Sequence, residues 1–144
     1  MIIKKADIGY LEEIAKIEKE VFAHPWSDES IKNLLEDEKS VAFIALEENK
    51  AIGYCGLNTV LDEGYITNVA VLENYRRKGT GQALVKALCA YAEKSSLAFL
   101  TLEVRKSNFP AISLYEKNGF EKVGERKDYY SAPKENALLM TRYF

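Results

Sequence analysis

Arg76-Arg77-Lys78-Gly79-Thr80-Gly81 separates two segments of different hydrophobic period. Before it, Tyr65–Leu72 is rich in the β-branched and apolar residues of a strand, and after it Leu84, Leu88, Tyr91 and Ala92 recur at helical spacing. A loop that opens a helix leaves the first N–H groups unpaired and pointing at one spot, where the helix dipole adds positive potential. Glycines let the backbone approach an anion closely, and Arg76, Arg77 and Lys78 add charge. That combination suits a pyrophosphate. It is neither a Walker A loop, which ends in Gly-Lys-Ser/Thr, nor the G-x-G-x-x-G of dinucleotide folds. Read alone, the stretch also fits a basic solvated turn whose glycines serve only turn geometry.

The flanking sequence supplies the rest of the architecture. Upstream, Ile2–Lys4 reads as a short strand and Asp7 as the cap of a helix carrying Leu11, Ile14, Ile17 and Val21. His24-Pro25-Trp26 breaks that helix, and Ser27 caps a second one with Ile31, Leu34 and Leu35, ending near Asp37. Ser40–Leu46 and Ala51–Leu61 read as strands joined through Glu48-Asn49-Lys50, and Asp62-Glu63-Gly64 as the turn into Tyr65–Leu72. These three strands form an antiparallel meander. Downstream of the long helix, Leu97–Val104 alternates as a strand, Asn108 and Pro110 open a short helix, and Gly119 suits its end. Phe120–Gly124 and Ala137–Tyr143 are the last strands. A strand, helix, strand order makes the strands beside the long helix parallel, so the class is α/β with a mixed sheet.

Composition narrows the function classes. A chain of 144 residues suits a single domain, residues 1–144, with a core that needs no staples. Lys and Arg total 20 against 22 Asp and Glu, so no basic excess points to nucleic acid. Cys55, Cys89 and the lone His24 offer neither a metal site nor a disulfide framework. The start, Met-Ile-Ile-Lys-Lys-Ala-Asp, is no basic leader before an apolar run, and no stretch nears the roughly 18 apolar residues of a membrane span. A cytoplasmic protein without a membrane partner is expected.

Asn68-Val69-Ala70-Val71, followed four residues on by Arg-x-x-Gly-x-Gly and a helix, resembles the acetyl-CoA-binding core of the GNAT superfamily of N-acetyltransferases. The likeness extends through Leu102-Glu103-Val104-Arg105, Ser107-Asn108 and Ala111–Phe120, and it covers nearly the whole chain. Phe22-Ala23-His24-Pro25-Trp26-Ser27 is similar to the substrate-side loop, and Tyr129-Tyr130 to the late strand pair, of the branch that acetylates ribosomal proteins at an N-terminal alanine. The resemblance implies six to seven strands with a splayed central pair, and four helices. It implies acetyl-CoA as co-substrate. The pantetheine arm would lie against Val69, Ala70 and Val71, with Asn108 assisting, and the pyrophosphate against Arg76, Arg77, Lys78, Gly79, Thr80, Gly81 and Gln82. The alternative for Val69–Val71 is plain buried core.

By the same resemblance, Glu103 is the general base and Tyr115 the general acid of direct transfer in a ternary complex. The chemistry agrees: an α-ammonium of pKa about 7.7–8.0 yields its proton to a modest base. The oxyanion of the attack needs a donor such as the Val71 N–H, and the departing thiolate needs a proton that a nearby phenol supplies. The plainer readings are a strand-edge ion pair of Glu103 with Arg105 or Lys106, a core tyrosine at 115 with its hydroxyl toward solvent, and an Asn108 that only caps a helix. Trp26 either lines the acceptor entrance or seals the first two helices on the sheet, and Tyr130 either positions the acceptor or stacks on a neighbour. His24 reads as a turn residue, and Cys55 and Cys89 as core rather than acyl carriers. The expected partner is a protein N-terminus, that of a small-subunit ribosomal protein, with Asp62, Glu63 and Asp128 attracting its basic chain. The alternatives are an acetyltransferase for lysine, polyamine or small amines, and a non-catalytic acyl-CoA-binding module.

Overall fold

The computed structural model describes residues 1–144 as one seven-stranded mixed sheet flanked by helices. Its elements are β1 (Ile2–Lys5), α1 (Leu11–Val21), α2 (Asp28–Glu36), β2 (Ser40–Glu47), β3 (Lys50–Val60), β4 (Glu63–Val71), α3 (Thr80–Lys94), β5 (Phe99–Arg105), α4 (Phe109–Lys117), β6 (Glu121–Ser131) and β7 (Lys134–Tyr143). The sheet order is β1-β2-β3-β4-β5-β7-β6, and only β4 and β5 run parallel. Seven strands and four helices agree with the sequence reading.

Local boundaries differ in instructive ways. Asp7 caps a 3-10 turn over Ile8–Tyr10 that leads into α1, rather than α1 itself. The β2–β3 turn is Glu48-Asn49, both at positive φ, which is the geometry of a tight two-residue hairpin. The next turn is Leu61-Asp62, so Glu63 and Gly64 belong to β4 and not to the turn. The last two strands are longer than Phe120–Gly124 and Ala137–Tyr143, because Glu125 and Arg126 also pair with Leu138 and Ala137, and Tyr130 and Ser131 with Glu135 and Lys134.

Helices cover both faces of the sheet. On one face α3 and α4 bury Leu84, Leu88, Leu100, Leu102, Phe120 and Met140. On the other, α1 and α2 bury Ile14, Ile17, Ile31, Leu34, Ile44 and Tyr54. A bulge in β4 decides which of its side chains meet which face. Leu57 pairs with Ile66 but Gly56 with Asn68, so Thr67 is an extra residue. Ile66 therefore packs toward α3, whereas Ala70 packs toward α1 and α2 and Val69 and Val71 take the α3 side. One inserted residue has reversed the strand's parity. No helix is long and apolar enough to cross a membrane.

Candidate active site

The sheet opens into a V between its two halves. β4 and β5 pair only at Glu63–Phe99, Gly64–Leu100 and Tyr65–Thr101, then separate. β4 stays paired with β3 up to Val71, and β5 with β7 up to Arg105, so each half remains intact while the middle parts. The Leu72 N–H donates to Ile52 O at 2.9 Å, toward β3. Backbone groups alternate along a strand, which turns those of Val69 and Val71 into the gap. The Val71 carbonyl already accepts from Arg76 Nε at 3.0 Å. Arg76 thus braces the strand end with the side chain that sequence reading assigned to phosphate.

At the wide end of the gap stands the α3 N-terminus. Gly79 is its N-cap at φ 84, and no side chain caps the helix. The N–H groups of Thr80, Gly81 and Gln82 have no acceptor within the helix. The two glycines do different work. A Cβ on Gly79 would meet nothing within 4 Å, so only its left-handed backbone requires glycine, while one on Gly81 would meet Leu114 Cδ2 of α4 at 3.2 Å. Arg77 is also left-handed, at φ 63, and is exposed with Lys78 beside it. The Lys78 and Lys50 ammoniums lie 5.6 and 5.4 Å from the centre of the Tyr75 ring, so Lys50 from β3 joins the basic rim. Gln82 Oε1 accepts from Asn118 Nδ2 at 2.7 Å, which ties the start of α3 to the end of α4. Unpaired amides, basic side chains and open space above Gly79 fit a diphosphate, and the gap-facing strand edge fits an amide-bearing arm.

The two candidate acid–base residues flank the gap from opposite faces. Leu102 and Val104 point to the α3 side, so Glu103 between them points to the other. Its side chain is 34% exposed and lies 3.6 Å from Arg126 Nε, and it accepts from the Tyr129 hydroxyl at 3.1 Å. Glu103 is therefore half-exposed despite its place on a central strand, and its ion pair is with Arg126 rather than Arg105 or Lys106. Arg105 turns to Glu135 at 3.2 Å and Lys106 to Glu125 at 3.2 Å. Tyr115 is buried on the α3 side, edge-on to Phe120 with ring centroids 5.7 Å apart. Burial pushes its phenol up, with smaller contributions from Cys55 and Tyr130, so it stays protonated at neutral pH. Asn108 Oδ1 accepts from Ala111 N at 3.3 Å as the cap of α4.

On the Glu103 side a cavity of about 390 Å³ is lined by Trp26, Tyr65, Ile66, Thr67, Glu103, Tyr129 and Tyr130. Trp26 and Tyr130, both taken from the sequence as acceptor-side residues, meet there with Glu103. Tyr129 and Tyr130 both line it because β6 carries extra residues between its pairs Arg126–Ala137 and Tyr130–Glu135, which breaks alternation. Their rings meet edge to face with centroids 5.0 Å apart, and the Arg105 guanidinium covers Tyr130 at 4.2 Å. Burial raises both phenols, with Glu103 adding to the effect. His24 is exposed on the α1–α2 connection and does not line the cavity. Sequence reasoning missed Tyr65, Ile66 and Thr67, whose placement depends on the bulge. It also missed Glu18, a carboxylate only 1% exposed, although its place on the apolar stripe of α1 was a readable signal.

The cysteines are core residues. Cys55 and Cys89 are both buried, and burial pushes both thiols up, which disfavours the nucleophilic thiolate. Neither is expected to react with a thiol reagent in the folded protein, while both label in denaturant. An acetylated cysteine after incubation with acetyl-CoA, seen by intact-mass measurement, would contradict this.

Residues 11–120 match the acetyltransferase (GNAT) family. The chain is 37% identical over 145 residues to the ribosomal protein bS18-alanine N-acetyltransferase of Haemophilus influenzae, spanning 99% of this chain and 98% of that one. It is 36% identical over 126 residues to the Escherichia coli K12 enzyme of the same name, covering 86% and 84% of the two chains. The crystal structure of the ribosomal-protein-S18-alanine N-acetyltransferase from Escherichia coli superposes with a TM-score of 0.92 at 33% identity, covering 99% of this chain and 92% of that one.

Proposed function

The chain belongs to the acetyltransferase (GNAT) family, and from that premise we propose that it transfers an acetyl group from acetyl-CoA to a protein N-terminal α-amine. The acceptor is the N-terminal alanine of ribosomal protein bS18, which the names of its relatives carry, and the protein works in the cytoplasm. The observation that carries this reading is the meeting of Glu103 with an aromatic cavity on one face of a parted sheet, opposite Tyr115 and the α3 amides.

Acetyl-CoA supplies the activated acetyl thioester. The gap-facing backbone groups of Val69 and Val71 hold its amide-bearing arm, with Ala70 fixing them to β3 and the free amide of Asn108 alongside. The amides of Thr80, Gly81 and Gln82 hold the diphosphate together with Arg77 and Lys78, while Arg76 and Gly79 shape the loop around it. Trp26 and Tyr130 enclose the acceptor's first residue. Glu103 takes the proton of the α-ammonium, directly or through water, and the nitrogen forms its bond to the acetyl carbon. The Val71 N–H faces the carbonyl oxygen as negative charge gathers on it. Tyr115 gives its proton to sulfur as the C–S bond breaks.

The deciding experiment offers two otherwise identical peptides beginning with alanine, one free and one blocked at its N-terminus, each containing lysine. Site-resolved mass spectrometry should find the acetyl group only on the free α-amine. Modification of the blocked peptide would move the activity to lysine side chains.

Acidic residues near the cavity mouth favour a basic acceptor. Glu63 accepts a hydrogen bond from the hydroxyl of Tyr65, a cavity residue, and Asp62 sits in the adjoining turn. Asp128 is already paired with Lys134 at 3.6 Å, so it contributes less than the sequence suggested. Asp62→Asn with Glu63→Gln should lower kcat/KM for a basic peptide several-fold at low salt, and the deficit should fade at high salt. An effect indifferent to ionic strength would remove steering from the account.

A further inference from the structure

Glu18 lies at the centre of a buried polar junction outside the acid–base pair. Its Oε1 accepts from the backbone N–H of Trp26 at 2.8 Å. Its Oε2 accepts from Asn68 Nδ2 at 3.2 Å and from the Tyr54 hydroxyl. Burial, reinforced by Glu18, raises the Tyr54 phenol, which keeps that hydroxyl a donor. One carboxylate on α1 thus holds the α1–α2 connection, β3 and β4 together.

Two of those attachments lead straight to the cavity. Trp26 is one of its walls, and Asn68 follows Thr67, the bulge residue that forms another. The bulge has little else to fix it through side chains, since Thr67 Oγ1 and Asn68 Oδ1 are buried without partners. A core position needs no such arrangement. A leucine on α1 would pack without three donors to satisfy, and a buried carboxylate carries a desolvation cost that only its hydrogen bonds offset.

We infer that Glu18 is a positioning residue for the acceptor: by holding the Trp26 N–H and the Asn68 amide at once, it sets the spacing between two walls of the cavity that admits the α-amine. The inference rests on the reading of that cavity as the acceptor site. Glutamine at 18 has nearly the same shape but presents an NH2 where one of three donors now finds oxygen. Tyr54 can turn its hydroxyl, whereas the Trp26 N–H can only donate, and Asn68 can offer its Oδ1 only by flipping its amide, which gives up the present hold on its NH2. Glu18→Gln therefore loosens a wall without opening a hole.

The test compares wild type, Glu18→Gln and Tyr54→Phe with the alanine peptide and acetyl-CoA. It adds melting temperature and the emission of Trp26, the only tryptophan in the chain. Glu18→Gln should raise the acceptor KM roughly tenfold, leave the acetyl-CoA KM within about twofold, and shift the Trp26 emission. Tyr54→Phe keeps both wall contacts, so it should lower the melting temperature with little change in acceptor KM. If the two variants lose stability alike and neither moves the acceptor KM, Glu18 is only a core residue and the inference is overturned. Should wild type fail to acetylate the peptide, the functional reading fails by itself. In that case the Trp26 emission still decides, because an unshifted spectrum in Glu18→Gln removes the proposed hold on the wall.

Discussion

Glu103→Gln is expected to lower kcat/KM for the acceptor peptide by about 10²–10³-fold at neutral pH while leaving the acetyl-CoA KM near its wild-type value. Glutamine still accepts a hydrogen bond from Tyr129, so the cavity should keep its shape and the change isolates proton transfer. The pH profile carries the diagnosis. Below about pH 7.7–8.0 the acceptor arrives as an ammonium and needs a base; above it the free amine is already present. The deficit should therefore shrink as pH rises. A deficit that is constant with pH would mean that Glu103 contributes charge or position and not proton acceptance. An unchanged kcat/KM at pH 7 would take Glu103 out of the chemistry altogether.

The second large effect is expected at Tyr115. Tyr115→Phe keeps the ring against Phe120 and deletes only the hydroxyl, so the fold and acetyl-CoA binding measured by calorimetry should survive. The rate constant kcat should fall by about 10²-fold or more, the usual range for loss of a placed proton donor. The raised phenol adds a prediction about pH. An unperturbed tyrosine would lose its proton near pH 10, abolishing an acid. With the pKa raised, the protonated form persists through that range, so the wild-type rate should show no alkaline fall from this group up to about pH 10. A clear decline centred between pH 8 and 9, absent from Tyr115→Phe, would contradict the burial argument.

Much of this architecture was legible because local signals agreed. The period change on either side of Arg76–Gly81 placed a strand, a loop and a long helix in that order. Ser27 and Asn108 announced helix starts, and both accept the backbone N–H that a cap should. The splay was legible only through resemblance, since Tyr65–Leu72 looks like any buried strand. The Thr67 bulge left no mark, because Ile66-Thr67-Asn68-Val69 reads as ordinary alternation and the extra residue exists only relative to β3. That is why Ile66, Thr67 and Asn68 were not placed. The length of β6 was hidden for the opposite reason. Glu121–Ser131 is charged and almost wholly exposed, so it has hydrogen bonds of a strand without the hydrophobic pattern of one. The outward direction of Glu103 was legible in alternation, since Leu102 and Val104 on either side of it belong to the core, but its partners Arg126 and Tyr129 come from a strand whose length was hidden.

The sheet has two open margins, and their composition bears on whether copies of this protein stick to one another. β1 is only four residues long and ends in Lys4-Lys5, and β6 carries Glu121, Lys122, Glu125, Arg126, Lys127 and Asp128 along its outer rail, interrupted where its register shifts. Free strand rails recruit further strands unless they are short, irregular or densely charged. Here one rail is short and the other is both irregular and charged, so runaway sheet growth is discouraged at each end. Strand addition is therefore disfavoured at both outer borders, and the backbone the sheet leaves unpaired in its interior lies between β4 and β5.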